Sequence, residues 1–436
     1  MTIVLAFLVN AALNFALGLL VAKFLRPDDF GRYAVAMAVA VVINTACFEW
    51  LRLSTTRFYS EERRAGEPGI RATLELGYAA TALGLAALVL ALFLAGADVG
   101  LPVSLLAAAT AAAIGMGIFD YRAALARARF LERAYAELVL LKNAAAFVLM
   151  VGGAYLFREP ALVLAGAALS GGAAVLMARR ALSDPGATPP RAERRHFRIF
   201  AAYAVPLVIA NLLYQFIPLM NRSALALTDG YAEAGRFALA TDIGLRIFMT
   251  LGSGLDILLF QTAIRTEEIH GRAEAEAQVA RNFAVIVALL LPLAAGYWLV
   301  LPALEALIVP AAYRGAFASY TTILIPALFA FALIQYALNP MFQLKRRTGP
   351  VVVAAFVALA TDAGLLLVLP AIFGRKAWHW HSSAGSPPQP RFSWCLRCVP
   401  TGFACPGVSS RCPPRRRPQW SSRSCRSGRL GRRRLR

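Results

Sequence analysis

The sequence predicts an all-α, polytopic integral membrane protein with about eleven transmembrane helices in two six-helix-type bundles, the second bundle lacking its last helix. Three observations predict it. The chain is 59% hydrophobic with a mean hydropathy of +0.59, and eleven long apolar stretches fill residues 1–374. The loops between them alternate between arginine-rich and arginine-poor. A short motif recurs at equivalent junctions of the two halves. A bilayer core about 30 Å thick is crossed by roughly 20 apolar residues in helical form. Long unbroken apolar runs point to helices, since a β-barrel would show short alternating segments.

The first stretch, Ile3–Ala22, has no basic run before it and no cleavage pattern leading into a soluble domain, so it reads as a retained span rather than a signal peptide. Tyr33–Leu53, Leu74–Leu94, Leu101–Ile118, Leu138–Leu156 and Ala161–Ala178 follow. Residues 179–199, with Pro185, Pro189, Pro190 and six arginines, read as a cytoplasmic linker. Beyond it come Phe200–Met220, Phe237–Phe260, Phe283–Val300, Tyr320–Leu344 and Val351–Phe373. Between the eighth and ninth spans, Glu267–Arg281 is rich in Ala, Glu and Arg and reads as a surface helix. Pro206 and Pro218 fall in the seventh span, Pro292 in the ninth, and Pro326 and Pro340 in the tenth; each removes an intrahelical hydrogen bond and bends its helix.

Basic residues resist translocation, so the loops carry the orientation. With the N-terminus inside, the inner loops hold 20 basic residues, among them Arg122, Arg127, Arg129 and Arg133, and Lys345, Arg346 and Arg347. The outer loops hold 7: Lys23, Arg26, Arg32, Arg158, Arg222, Arg236 and Arg314. An N-terminus on the cytoplasmic side is therefore expected.

Residues 375–436 are of another kind. They hold 15 of the 45 basic residues and none of the 24 acidic ones, so the first 374 residues carry only +6 of the total charge of +21. Five of the six cysteines lie there, at Cys395, Cys398, Cys405, Cys412 and Cys425. Cys395 and Cys398 have zinc-ligand spacing, but Cys405 and Cys412 do not form a second such pair. A basic disordered tail that binds anionic lipid or nucleic acid is a second reading. A reading-frame shift in a GC-rich gene fits best: codons for Ala, Leu, Val and Gly read out of frame yield Arg, Pro, Ser, Cys and Trp. Eleven spans would also place this basic tail outside, against the bias of the loops. Loss of a twelfth span around 377–395 resolves that conflict, and resequencing near codon 375 tests it.

The repeat reads Phe30-Gly31-Arg32-Tyr33-Ala34-Val35-Ala36 in the first half and Ala234-Gly235-Arg236-Phe237-Ala238-Leu239-Ala240 in the second, at a constant offset of 204 residues. It divides the body into 1–178 and 200–374, each built on a six-span plan. An even number of spans leaves both halves in one orientation, as in parallel-repeat transporters.

The first helix followed by Leu25-Arg26-Pro27-Asp28-Asp29-Phe30-Gly31-Arg32-Tyr33 resembles the start of bacterial polysaccharide flippases of the O-antigen type, within the multidrug/oligosaccharidyl-lipid/polysaccharide exporter superfamily. The seventh span, from Tyr203-Ala204-Val205-Pro206-Leu207 to Leu219-Met220-Asn221-Arg222, is similar to the family's proline-bent helix ending in Asp-Arg, with Asn221 in place of the acid. The resemblance covers about residues 3–373. It implies twelve or more helices in two bundles around a central cavity, a bacterial inner-membrane location, and lipid-linked sugar as cargo for surface polysaccharide, including lipopolysaccharide O-antigen.

Charges within spans cost about 2.5–3.5 kcal/mol each on insertion scales, so they face a cavity or a partner. Arg246 lies about 13 Å into the eighth span at 1.5 Å per residue, one turn after Asp242, a spacing that permits an ion pair. The pair is either a cationic wall for a diphosphate or acidic sugar or a neutralised structural contact. Asp362, near the middle of the last span, is a candidate for a coupling H+ or Na+, or a helix–helix hydrogen bond. Glu49 and Arg52, three apart, lie near the inner end of the second span, where Arg52 can snorkel to headgroups. Lys142 and Asp256 read as interfacial. Arg222 and Arg236 are placed at the outer mouth, guiding a phosphate or anchoring to headgroups. Asn10 and Asn14, Asn211 and Gln215, and Gln335 and Asn339 are each four apart on one helix face, lining a hydrated cavity or joining helices.

The body holds two histidines, His196 and His270, and no phosphate-binding G-x-x-x-x-G-K-[ST] loop, which argues against ATP hydrolysis in this chain. No cofactor, metal or nucleic-acid partner is expected of the body; the expected partners are a lipid-linked oligosaccharide, membrane lipids, and H+ or Na+. The expected activity is flipping of an undecaprenyl-diphosphate-linked sugar unit by alternating access. The rivals are an ion-coupled multidrug or cation antiporter of the same superfamily, a membrane glycosyltransferase, which would need acids or histidines clustered in a long outer loop, and an inactive truncated copy.

Overall fold

The computed structural model describes residues 2–60, 67, 69–96, 100–182, 192–338 and 349–373, and every helix in them lies in one unit, Met1–Ala384. In chain order the helices are α1 Thr2–Phe24, α2 Pro27–Cys47, α3 Glu49–Phe58, α4 Gly69–Leu94, α5 Val103–Ala128, α6 Glu132–Leu156 and α7 Pro160–Met177. They continue with α8 Arg194–Thr228, α9 Tyr231–His270, α10 Arg272–Leu307, α11 Ala316–Leu333 and α12 Gly349–Phe373. A 3-10 turn at Ala311–Tyr313 precedes α11 and a π turn at Ile334–Leu338 follows it. No strand occurs among the described residues.

Eight of these helices are long and apolar enough to cross a membrane, and α1 and α12 contain shorter apolar segments. The forty residues of α9 are interrupted by Asp242, Arg246 and Asp256. Large apolar side chains point outward: on α4, Leu83 is 71% exposed, with Leu88, Leu90, Phe93 and Leu94 also open. Such a girdle is unfavourable in water and fits lipid contact. The chain is an α-helical polytopic membrane protein.

Local chemistry accounts for the breaks between helices and corrects the expected spans. Helix α2 starts with Pro27 in its first turn and Asp28 and Asp29 beside the positive helix end. The second span is not one helix: it breaks at Phe48, where φ is −121°. The Trp50 indole N–H donates to the Cys47 carbonyl at 2.9 Å, satisfying an acceptor exposed by the break. The fourth span runs on to Ala128, because the polar residues beyond Ile118 face protein rather than water; Tyr121 is fully buried there. The expected surface helix Glu267–Arg281 does not exist as one element. Gly271, at φ +83°, ends α9 and starts α10, and its N–H bonds the Glu267 carbonyl at 3.1 Å. The two flanks are the ends of long helices.

The largest apolar core joins helices from before and after the linker: Leu17, Val21 and Phe30 pack with Leu239, Ile243, Tyr297, Tyr313 and Phe317. A second core sets Phe48, Leu51, Leu74, Tyr121 and Leu125 against Phe200 of α8. Residues 375–436, with the zinc, basic-tail and frame-shift readings, lie outside the described residues. So do Asn339, Pro340, Lys345, Arg346 and Arg347, and the side chains of Asn10 and Asp256.

Candidate functional site

Two arginines sit between helices far apart in the chain. Arg222 comes from α8 and is only 8% exposed, so its guanidinium faces protein. Its Nη2 donates to Asp242 Oδ1 of α9 at 2.5 Å, and its Nη1 to the Ala34 carbonyl of α2 at 3.2 Å. The Tyr33 hydroxyl lies in the field of Asp242, Arg246 and Arg222. The expected ion pair between Asp242 and Arg246 is therefore replaced by one between neighbouring helices. Spacing on one helix permits a contact but does not compel it, and Arg222 reaches Asp242 first.

Arg246 turns to α1 instead. Its Nη1 donates to the backbone carbonyl of Asn14, and a Cβ placed on Gly18 would lie 3.5 Å from its Nη2. In a helix the side chain at i+4 shields the carbonyl at i. Gly18 has none, so the second lone pair of that carbonyl is open to the guanidinium. Asn14 thus contributes its backbone here. No carboxylate of the described residues pairs with Arg246.

A second polar group lies deeper, near the α2–α3 break. Arg52 donates to Glu49, and Asn211 Nδ2 of α8 reaches the same Glu49 oxygen at 3.2 Å. Gln215, one turn along α8, is half-buried. Asn44 donates to Asp120 Oδ2 of α5 at 3.3 Å. Lys142 of α6 is not at a water interface: its ammonium stands 5.6 Å from the Phe119 ring centroid and within the fields of Asp120 and Arg246. Asp120 escaped the sequence reading because the arginines at 122–129 made its surroundings look like a loop. The helical spacing of Tyr121 and Leu125 was the available signal.

Asp362 of α12 accepts a hydrogen bond from Asn221 Nδ2 at 3.0 Å, and the same nitrogen also lies 3.0 Å from the Ile217 carbonyl. Gln335 is exposed on the π turn.

Helices α2 and α9 approach backbone to backbone at their N-terminal ends. A Cβ added to Gly31 would fall on the Tyr231 carbonyl, and one added to Gly235 would fall on the Pro27 carbonyl. Pro27 and Tyr231 are also 204 positions apart. The repeated glycines thus cross as a pseudo-symmetric pair, each receiving the other helix's backbone where a side chain would stand. The Arg32 guanidinium lies 4.8 Å from the Tyr231 ring centroid, and Arg236 pairs with Glu233 at 2.8 Å. Glu233 also accepts from the Tyr320 hydroxyl at 2.5 Å. The Tyr313 hydroxyl donates to the Leu25 carbonyl at 3.4 Å, and burial raises that hydroxyl above its ordinary range, keeping it a neutral donor.

No known protein family matches the chain, and neither does any curated protein. Solved structures do. One, described as the inward-facing conformation of a multidrug resistance MATE family transporter of the MOP superfamily, is 12% identical. The match covers 83% of this chain and 96% of that one, with a TM-score of 0.56. Another, the lipid II flippase MurJ in an inward closed conformation, is 13% identical over 85% of this chain and 81% of that one, with a TM-score of 0.63. The chain shares the fold of these two polytopic membrane proteins.

Proposed function

We propose that the protein flips a lipid-linked oligosaccharide, an undecaprenyl-diphosphate-linked unit for surface polysaccharide such as O-antigen, across the bacterial inner membrane by alternating access. The observation that carries this reading is Arg246: a half-buried guanidinium held by a backbone carbonyl, with no carboxylate partner among the described residues. An uncompensated cation there calls for an anion, and a diphosphate offers oxygens that a guanidinium binds in bidentate fashion. Arg222, neutralised by Asp242, supplies structure. Lys142 adds a further cation whose field reaches Arg246. Asn14, Asn211 and Gln215 stand where sugar hydroxyls would pass, and the polyprenyl tail stays in lipid. In this reading the Gly31–Gly235 crossing is the closed end, which must part to release cargo. A proton or Na+ at Asp362 is the assigned coupling ion, and the N-terminus is assigned to the cytoplasm.

The two aspartate–asparagine pairs, Asn44–Asp120 and Asn221–Asp362, favour a second reading, an ion-coupled multidrug or cation antiporter. The two are separated by reconstituting the intact chain in liposomes with a fluorescent polyprenyl-diphosphate oligosaccharide on one side and a small cationic drug on the other. Flipping of the lipid, lost in Arg246→Ala, supports the first reading. Movement of the drug with no movement of the lipid would sink it.

A further inference from the structure

Helix α8 is 35 residues long, about 52 Å at 1.5 Å per residue, and so outruns the roughly 30 Å bilayer core. Its first turns, Arg194 to Arg198, are polar and precede the apolar stretch that begins at Ile199. There Arg194, Arg195, Arg198 and Ile199 line a cavity of about 370 Å³. Their positions, i, i+1, i+4 and i+5, make one compact diamond on the helix surface. All three arginines are exposed.

The other flank of the same turn is anchored. The Glu193 N–H donates to Thr73 Oγ1 of α4 at 3.0 Å. Phe197 packs on Trp50 at 5.1 Å, and Phe200 on Phe58 at 5.5 Å. The buried His196 ring hydrogen-bonds Glu67 at 2.9 Å, and Glu193 stands 3.7 Å from its other nitrogen. Those carboxylates therefore engage the histidine rather than the arginines. Among the described residues no carboxylate pairs with Arg194, Arg195 or Arg198.

Such an arrangement works against folding. Cations at the first turn of a helix oppose its dipole, and Arg194 and Arg198 are like charges one turn apart. A phosphate in the cavity reverses both terms, since the helix end and the guanidinium forks all favour it. The volume suits a phosphate with its glycerol, and Ile199 supplies an apolar edge. We infer that this cavity binds the phosphate headgroup of an anionic membrane phospholipid, at the point where the chain enters α8 from the linker. The site is remote in chain and helix turn from Arg246 and stands apart from the flipping proposal.

The test uses the full chain in nanodiscs of phosphatidylcholine with increasing phosphatidylglycerol, read by thermal unfolding and by native mass spectrometry of retained lipid. Wild type is expected to gain several degrees with phosphatidylglycerol and to retain it on release. The Arg194→Gln/Arg195→Gln/Arg198→Gln variant is expected to lose both effects, while melting in pure phosphatidylcholine no lower than wild type. Arg198→Gln alone, the milder change, is expected to retain lipid several-fold less and covers the case of a poorly folding triple variant. Equal phosphatidylglycerol response in wild type and variants would overturn the inference. So would stabilisation by inorganic phosphate alone in phosphatidylcholine discs equal to that by the anionic lipid, which would make the ligand a free anion.

Discussion

Arg222 is neutralised by Asp242, whereas Arg246 is held by a backbone carbonyl alone. Arg222 has a carboxylate, a carbonyl and almost no solvent. Removing its partner leaves a buried charge, a change that typically costs about 3–5 kcal/mol, whereas replacing both partners by apolar groups is often neutral. Asp242→Ala is therefore expected to lower the melting temperature sharply, and Arg222→Met/Asp242→Leu to recover most of the loss. Additive losses in that pair, measured by thermal unfolding in detergent, would contradict the coupling. Arg246 has only a backbone acceptor to lose, so Arg246→Ala is expected to change stability little and transport by tenfold or more in the liposome assay. Arg246→Lys is expected to keep part of the transport, because it retains the charge but not the fork.

Helices α2 and α9 meet where neither offers a side chain. Gly31 and Gly235 each occupy a place in which a Cβ would overlap a carbonyl, so any larger residue forces the helix ends apart. Gly31→Leu and Gly235→Leu are each expected to raise maleimide labelling of a cysteine placed at Ala34, which is 1% exposed. Gly152→Leu, on α6 with nothing within 4 Å of its missing Cβ, is the control expected to leave labelling unchanged. Gly271 separates α9 from α10 by a conformation that L-residues avoid. Gly271→Ala is expected to cost about 1–3 kcal/mol, seen as a lower denaturation midpoint with the fold retained.

For the assembled bundle, the arginine bias of the loops predicts sidedness. Reporters fused after Arg129 and after Arg180 are expected to be active only on the cytoplasmic side, and a reporter after Arg158 only on the opposite side. The reverse result would invert the orientation assigned here. The outward apolar face predicts a second outcome: Leu83→Arg on α4 is expected to cost about 2.5–3.5 kcal/mol in membrane insertion.

Helical class, most of the spans and the two junctions that carry Gly31 and Gly235 could be read from residues alone. Hydrophobic run length and turn chemistry are local properties, and a bilayer rewards them directly. The junction match at 204 residues was visible in the sequence; that the two glycines touch was not. The partners of the charged groups were likewise hidden. Helical spacing offered Asp242 to Arg246, but Arg222 takes Asp242 from the neighbouring helix and Arg246 crosses to Asn14, 232 residues away. Lys142 looked interfacial because charge near a span end resembles a loop; helix continuation leaves it half-buried. Run length and loop charge act along the chain and need no folded partner, whereas ion pairs and backbone crossings depend on which helices lie side by side, and packing alone settles that.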